Sequence, residues 1–505
     1  MRWETLKVGS KLRAILHADS FRPLTLAGQR ADPGTSPMTA IADLNVASLT
    51  EAYRRGALSP VEVARDCLVR IEAAAVFNAF MPLQPDTVLG EAAASQARWR
   101  AGAPLGALDG VPASVKDNIW LKGYPTLRGS LTGEDSPAGD DAPAVARLRE
   151  QGAVFLGKTC MPEHGWIGVC HSPRSGITRN PWNPAHTPGG STGGGAVAAL
   201  LGLGLLHLGT DGAGSLRIPA AFSGVFGFKP SVGCVPVYPA PLLNVLSHHG
   251  PIARNVTDAA SLMSAIARPD ARDMTALTGE QAGDYGAGLN DGVRGCRIAL
   301  SMRLGHGDTL DPDIEAAVAR TARVLEAQGA VVEIADPPLD SALDLIRAMW
   351  WPVAAAIVDG VPAARRGDMD KGLLTIAERG RVLTTTDYLV AFAARAELHN
   401  AMRDFHRRYD LLLTPTMPVT ALEAGEEMPA GGGFGDDWLN WSPYTYPFNL
   451  TGQPAASVPC GLAKNGLPMA AQLVGRLGED ALVLRASRAV EQAMPMPMPM
   501  LNSPR

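Results

Sequence analysis

Thr187-Pro-Gly-Gly-Ser-Thr-Gly-Gly-Gly195 decides the interpretation of this chain, together with Gly209-Thr-Asp-Gly-Ala-Gly-Ser-Leu-Arg-Ile-Pro219 a short way downstream. The two stretches place Ser191 and Ser215 in glycine-rich surroundings. Glycine adopts backbone conformations that are closed to other residues and lets a ligand approach the main chain closely. A serine in such a setting is a candidate nucleophile, because neighbouring N–H groups can bind an oxyanion.

A lysine upstream of these stretches is the candidate base. It is Lys116, in Gly110-Val-Pro-Ala-Ser-Val-Lys-Asp-Asn118, and neither serine motif contains a histidine. The pKa of a lysine is about 10.4 in water, but burial disfavours the charged form and lowers that pKa. A value of about 7–8 would make the amine a useful base near neutrality. We therefore expect one site, in which Ser191 relays a proton from Ser215 to Lys116.

The backbone around the second serine is expected to form an oxyanion hole. The proposed donors are the N–H groups of Gly212, Ala213, Gly214 and Ser215. Asp211 and Arg217 flank this loop with opposite charges, and we expect them to pair and to hold it in place.

Two other motifs give weaker indications of function. Gly152-Ala-Val-Phe-Leu-Gly-Lys-Thr159 matches the P-loop pattern, but its middle reads as a strand, and Pro162 interrupts the helix that a phosphate site requires. Gly189-Gly-Ser-Thr-Gly193 matches the nucleophile elbow of α/β-hydrolases, although no apolar strand precedes it. Histidines are available downstream, so a Ser-His-Asp esterase stays open as an alternative. The adjacent His248 and His249 are expected to lie in a loop, with a structural or pocket-lining role.

Composition excludes several classes of protein. The chain has 505 residues, a net charge of −5 and no long basic block, which argues against nucleic acid as a partner. Its longest apolar run, Ala196–Leu208, is shorter than the ~20 residues of a membrane span. The six cysteines are scattered singly without a C-x-x-C pair, so neither a metal nor a redox site is expected. Reduced, mostly buried thiols favour a cytoplasmic location.

Helix and strand patterns alternate along the chain. Ser59-Pro60 is a helix start signal, with Ser as N-cap and Pro at the first helical position. A helix over 141–152 precedes a strand over 153–156, and a helix over 313–329 precedes a strand over 330–334. Such alternation is typical of an α/β architecture with a mixed or mostly parallel sheet.

We expect one large domain with two appendages. The domain spans residues 38–493 and contains no clear linker or tandem repeat. Residues 1–37 are interpreted as a loose extension rather than a targeting segment, because they contain no apolar core of a signal peptide. Residues 494–505 form a Met/Pro-rich tail whose alternating prolines exclude a helix.

The combined motifs closely resemble the amidase signature family. The resemblance covers about residues 40–490 in the order of the family's blocks. These blocks are Leu108–Ile119, Leu156–Glu163, Thr187–Pro236, Gly250–Arg254, Leu413–Pro418 and Asn449–Pro459.

The resemblance implies an amide hydrolase with a Ser–cis-Ser–Lys triad. Ser215 would carry the acyl group, Ser191 would be the bridging serine in a cis peptide, and Lys116 would be the general base and acid. The implied fold is a single α/β domain with a mixed, mainly parallel-like, twisted sheet between helix layers. The implied partner is a small-molecule amide or carbamate, with neither a metal nor an organic cofactor. The resemblance is also compatible with a homodimer.

The chain departs from the family pattern at three places. Thr192 stands where a second serine is usual, and Gly212-Ala213 replaces Thr-Gly. Cys160 replaces an asparagine. Since the expected oxyanion donors are backbone groups, the hole should persist provided that Ala213 has a compatible φ.

The substrate is predicted from aromatic clusters in the variable part of the chain. Trp350 and Trp351 form one cluster, and Trp441 and Tyr444 belong to another. They read either as core aromatics or as an apolar pocket for an aryl or alkyl amide or carbamate. The alternative is the A subunit of a glutamine-dependent tRNA amidotransferase, but that subgroup of the family usually has glutamine where this chain has Ile218. A degenerate, non-catalytic scaffold is disfavoured because all three triad positions are filled.

Overall fold

The computed structural model describes residues 41–276, 283–304 and 309–499. The predicted N-terminal extension, 1–37, lies outside the described residues, as does the end of the Met/Pro-rich tail.

One ten-stranded sheet organises the described chain. Its order is β2-β1-β5-β7-β6-β11-β12-β10-β8-β9, and β3 and β4 form a separate hairpin. The strands are β1 (Pro112–Lys116), β2 (Val154–Thr159), β3 (His171–Ser172), β4 (Gly176–Ile177), β5 (Leu206–Asp211), β6 (Phe226–Lys229), β7 (His248–Ala253), β8 (Arg297–Leu300), β9 (Val331–Ile334), β10 (Leu411–Pro415), β11 (Ala455–Leu462) and β12 (Pro468–Gly475).

The sheet is mixed, and its two flanks differ from its centre. β2, β1 and β5 pair in parallel at one flank, and β10, β8 and β9 do so at the other. The strands between these flanks pair antiparallel. The predicted α/β class with one mixed sheet in a single large domain is confirmed, with the parallel pairs confined to the flanks.

Helices cover both faces of this sheet. The α-helices are α1 (Val46–Arg54), α2 (Pro60–Ala73), α3 (Pro85–Arg100), α4 (Pro143–Glu150), α5 (Gly193–Leu200), α6 (Arg217–Ser223), α7 (Val256–Ile266), α8 (Pro312–Ala327), α9 (Ala342–Asp359), α10 (Lys371–Arg381), α11 (Thr385–Phe405), α12 (Pro447–Leu450) and α13 (Asp480–Ala493). Short 3-10 helices span Ile41–Asp43, Ala75–Phe77, Glu163–Gly165, Asn244–Leu246, Ala363–Asp368 and Trp438–Trp441.

Local sequence signals account for several of these boundaries. Ser59 is the N-cap of α2 and forms a capping box with Glu62, as its sequence indicates. The helix expected from residue 141 begins at Pro143. Proline is favoured at the first helical position because an N–H there would have no partner within the helix. Residues 494–499, after α13, form neither helix nor strand.

Two apolar cores lie on opposite faces of the sheet. Alternate residues of a strand point to opposite faces, and in β10 Leu411 and Leu413 join one core while Leu412 joins the other. Helices α4, α7, α8 and α13 contribute to the first core, and α6, α9, α10 and α11 to the second. All six cysteines are free and buried. Of the helices described, none combines the length and apolar character needed to cross a membrane.

Candidate active site

The ends of three neighbouring strands, β1, β5 and β7, lie side by side at one edge of the sheet and carry the candidate site. β1 and β5 are parallel, so their carboxyl ends, at Lys116 and Asp211, lie at the same edge. β7 runs antiparallel to β5 and begins at this edge, with His249 opposite Thr210. The glycine-rich segment around Ser191 leads into α5 at the same place.

Lys116 is fully buried and hydrogen-bonded to two hydroxyls. Its Nζ donates to Ser191 Oγ at 2.7 Å and to Thr210 Oγ1 at 2.8 Å. Burial lowers the pKa of Lys116 to about 7, and this loss of solvation outweighs the opposing effects of Cys170 and Asp211. A substantial fraction of the side chain is therefore a neutral amine near neutral pH.

The two serines face a common cavity. The peptide bond between Gly190 and Ser191 is cis. Ser215 follows β5 and precedes α6, and its carbonyl accepts a hydrogen bond from the N–H of Thr192 at 3.1 Å. Ser191, Thr210 and Ser215 all line the cavity. The structure thus brings the three predicted triad residues to one place.

The four expected oxyanion donors are not equivalent. The N–H of Gly214 donates to Asp211 Oδ1 at 2.8 Å. This N–H is therefore not available to an oxyanion, and its assignment as an oxyanion donor was wrong. Within the described chain, the N–H groups of Gly212, Ala213 and Ser215 donate to no other residue. Ala213 does not adopt a positive φ, whereas Gly214 does, at 128°. The positive φ therefore falls on the glycine, and Ala213 is compatible with the loop.

Asp211 and Arg217 form a fully buried ion pair. Arg217 Nη2 lies 2.9 Å from Asp211 Oδ1, and Nε lies 3.0 Å from Oδ2. The neighbouring guanidinium keeps the pKa of Asp211 below its usual range despite burial. Arg217 also donates to Thr445 O, Gln472 Oε1 and Asn449 Oδ1. The loop before Ser215 is thus tied to the C-terminal part of the chain.

The other two departures from the family pattern, at Thr192 and Cys160, are also accommodated. A Cβ built on Gly209 would lie 2.5 Å from Thr192 Cγ2, so the extra methyl of Thr192 fills space above this glycine. Thr192 Oγ1 still donates to Thr210 O at 3.2 Å. Cys160 is buried, and its Sγ lies 3.8 Å from Met81 Sδ. The thiol thus makes an apolar contact at the position where the family pattern has the amide of an asparagine.

The cavity in front of the serines has a volume of about 540 Å³, and polar and apolar groups contribute about equally to its wall. Polar groups in its lining include Asn118, Arg128, Glu134, His164 and His249. The apolar lining consists of Ile119, Leu127, Val237, Tyr238, Pro239, Ala240, Pro241, Leu242, Leu243, Trp350, Val353, Ala356, Ile357 and Val361.

Only one of the four predicted pocket aromatics lines this cavity, namely Trp350. Trp351, its neighbour on α9, does not line the cavity, and the guanidinium groups of Arg347 and Arg379 each lie 5.6 Å from its ring. Trp441 is fully buried and stacks on Phe222. Tyr444 is also fully buried, and its hydroxyl donates to Met302 O. The pocket assignment is therefore wrong for Trp441 and Tyr444, which are core aromatics, and for Trp351, which is half-buried beside two arginine side chains.

The histidines do not form a Ser-His-Asp site in the part of the chain described. No histidine there is hydrogen-bonded to Ser191 or Ser215, and residues 184–189 are not a strand that could lead into an elbow. His248 and His249 begin β7 instead of lying in a loop, because they pair with β5. Burial lowers the pKa of His249 to about 4, so this cavity-lining imidazole is neutral.

Thr210 is a site residue that the sequence analysis missed, whereas the expected pocket-lining role of His249 agrees with its place at the cavity. Thr210 lies inside the quoted Gly209–Pro219 stretch, but only the side-chain direction on β5 identifies it as a partner of Lys116. His249 is two strands away from Lys116 in the sheet, and its position follows from the β5–β7 register.

Comparisons with known proteins agree on the family. Residues 62–484 match the family model described as Amidase. An acylamidase from Rhodococcus erythropolis is 33% identical over 460 residues, which cover 90% of this chain and 96% of the relative. The A-type subunit of the glutamyl-tRNA(Gln) amidotransferase from Symbiobacterium thermophilum is 36% identical, with coverage of 89% and 96%. The solved structure of a bacterial aryl acylamidase has a TM-score of 0.83 at 29% identity, covering 90% of this chain and 96% of that one.

Proposed function

This chain belongs to the amidase signature family of enzymes that act on amide C–N bonds, and from that premise we propose that it hydrolyses apolar amides through an acyl-enzyme on Ser215. Ser191 is the proton bridge, and Lys116 is the general base and then the general acid. The observation that carries this proposal is the buried Lys116 amine, held 2.7 Å from Ser191 Oγ with its pKa lowered to about 7.

Acylation starts with a neutral Lys116. The amine accepts the proton of Ser191 while Ser191 accepts the proton of Ser215, and Ser215 Oγ attacks the carbonyl carbon. The negative charge on the carbonyl oxygen is stabilised by the unoccupied N–H groups at Gly212, Ala213 and Ser215. The C–N bond then breaks, and the amine departs with a proton that Lys116 returns through Ser191. Water attacks the resulting ester by the same route, releasing the acid and restoring Ser215.

The apolar part of the cavity wall supports an apolar acyl or amine group. Its lining of aliphatic, proline and aromatic side chains gains free energy by releasing water when an apolar group enters. Trp350 lies beside the oxyanion loop, since a Cβ built on Gly212 would be 3.3 Å from its ring. We therefore propose aryl or alkyl amides as substrates, with carbamates (urethanes) and aryl esters as related ones.

The nucleophile is tested with Ser215→Ala. We expect amide hydrolysis to fall to background while the folded structure is retained. Ser261→Ala is the matched control, because this α7 hydroxyl only donates to Thr257 O in its own helix. Unimpaired hydrolysis by Ser215→Ala would refute the acyl-enzyme.

The substrate class is tested separately with a panel of amides. An anilide, a long-chain amide and an aryl carbamate should each exceed acetamide in kcat/KM, and Trp350→Ala should reduce this preference. Trp351→Ala is the control, because Trp351 does not line the cavity. Equal turnover of acetamide would exclude the apolar pocket.

Glutamine-dependent amidotransfer is the second candidate, favoured by the similarity to the amidotransferase from Symbiobacterium thermophilum. Ile218 is fully buried beside Gly214 and Gly168, so this position offers an apolar contact and no amide. Hydrolysis of glutamine at a kcat/KM above that of the aryl amides would support this alternative over ours.

We further propose a cytoplasmic homodimer, which size-exclusion chromatography with light scattering and cell fractionation would test.

A further inference from the structure

Three side chains with metal-ligating atoms meet outside the catalytic cavity. His171 lies on β3, Asp370 is the N-cap of α10, and Glu427 belongs to the glycine-rich loop over 425–435. His171 Nε2 is 4.0 Å from Asp370 Oδ2 and 4.0 Å from Glu427 Oε1, and all three ligand atoms lie within 4.8 Å of one another. Three segments that are distant in the chain thus present one imidazole and two carboxylates to one point.

The negative charge of this cluster has no cationic side chain to balance it. Among the residues described, neither Asp370 nor Glu427 forms an ion pair with a lysine or an arginine. A third carboxylate, Glu163, is buried next to them and accepts a hydrogen bond from the N–H of Asp370 at 2.6 Å. Buried carboxylates are stabilised when they are paired or when they coordinate a metal, and a cation bound here would supply a counter-charge that no described lysine or arginine provides.

The most buried ligand is oriented towards the cluster. The Asp370 side chain is 8% exposed. Its Oδ1 accepts the N–H of Leu373 at 3.1 Å and so caps α10. Its Oδ2, in contrast, accepts no hydrogen bond from any residue described and faces His171 Nε2. One carboxylate oxygen is thus fixed by the helix while the other is free to bind a ligand.

We propose that His171 Nε2, Asp370 Oδ2 and Glu427 Oε1 bind one divalent transition-metal cation, with Zn²⁺ as the best match. Imidazole and carboxylate are the ligands this ion accepts, at about 2.0–2.2 Å. Tetrahedral ligand atoms at that radius are roughly 3.4 Å apart, so both 4.0 Å separations have to contract by about 0.6 Å. Glu427 is partly exposed and lies in a loop, which allows this movement. Water would complete the coordination.

The bound ion would hold three segments of the chain together and would take no part in the amide chemistry. The ion would join the glycine-rich loop to α10 and to the β3–β4 hairpin. Through the hydrogen bond from Asp370 to Glu163 it would also support the 163–165 turn, whose His164 and Gly165 line the catalytic cavity. The proposal does not depend on the proposed amidase mechanism.

Zn²⁺ binding to the full chain, stripped with EDTA, tests the proposal by isothermal titration calorimetry. We expect about one Zn²⁺ per chain, a Kd in the micromolar range or tighter, a similar but weaker response to Mn²⁺ and little response to Mg²⁺. Glu427→Gln and Asp370→Asn should each weaken binding by at least about tenfold, since both remove a coordinating charge and keep the shape of the side chain.

Glu426→Gln is the matched control, because this exposed neighbour of Glu427 lies outside the ligand set. An equal loss in Glu426→Gln would mean that Zn²⁺ responds to diffuse surface charge, and it would overturn the site. The absence of saturable binding by about 1 mM Zn²⁺ would overturn it as well. Thermal unfolding provides a second readout, because an ion that binds only the folded state raises Tm. Zn²⁺ should raise Tm in the natural chain and in Glu426→Gln, but not in Asp370→Asn.

Discussion

Replacing Thr210 by valine should change the pH dependence of the enzyme through Lys116. The Thr210 hydroxyl accepts a hydrogen bond at 2.8 Å from Lys116 Nζ, and the lysine itself is fully buried. Valine keeps the shape and removes the acceptor. A hydrogen bond to a charged group contributes about 1.5–3 kcal/mol, and a pKa changes by one for every ~1.4 kcal/mol. The pKa of Lys116 should therefore fall from about 7 to between about 5 and 6.

The assay is the pH profile of kcat/KM for an aryl amide. If neutral Lys116 is the base, the acidic limb of the profile should move to lower pH by at least about one pH unit in Thr210→Val. Thr321→Val is the control, because Thr321 is a buried threonine whose hydroxyl bonds to Ala317 O inside α8. An acidic limb that stays in place, with kcat/KM otherwise measurable, would refute the role of Lys116 as the titrating base.

Two further predictions concern stability. In the unfolded chain Lys116 titrates near 10.5, so between about pH 7 and 10.5 the unfolded state binds more protons and this group makes stability rise with pH. Lys116→Met should abolish activity and remove this part of the pH dependence of stability, which amounts to at most ~5 kcal/mol. The free energy of unfolding is measured with urea at pH 6 and pH 9. If the burial argument is wrong, its change between the two pH values will be the same in Lys116→Met as in the natural chain. Arg217→Met should destabilise the fold by about 3–5 kcal/mol, because it leaves Asp211 buried without its partner. A loss below about 1 kcal/mol in urea unfolding would contradict that reasoning.

The sequence was most informative where chemistry and backbone conformation coincide. Lys116, Ser191 and Ser215 lie in short motifs whose glycines and flanking residues restrict the local fold, and the structure places all three at one cavity. The pairing of Asp211 with Arg217 was also expected, because opposite charges six residues apart flank a loop that has to be held.

The sequence was least informative about the direction of side chains. The aromatic clusters indicated apolar surroundings correctly, but Trp350 and Trp351 are neighbours on one helix and point to different places. The role of Thr210 depends on the β1–β5 pairing, and no local pattern encodes that register. The His171, Asp370 and Glu427 cluster joins three segments far apart in the chain, so spacing rules for metal ligands do not reveal it.

The hydrogen bonds of Arg217 have a consequence for protein synthesis. A chain that has emerged only as far as α8 already contains Lys116, Ser191 and Ser215, but it lacks Thr445, Asn449 and Gln472, on which Arg217 depends. It also lacks β11 and β12, which complete the centre of the sheet. The loop around Ser215 therefore gains its full set of hydrogen bonds only when the last strands have been made. We therefore expect a ribosome-bound chain to gain amidase activity only when translation is nearly complete.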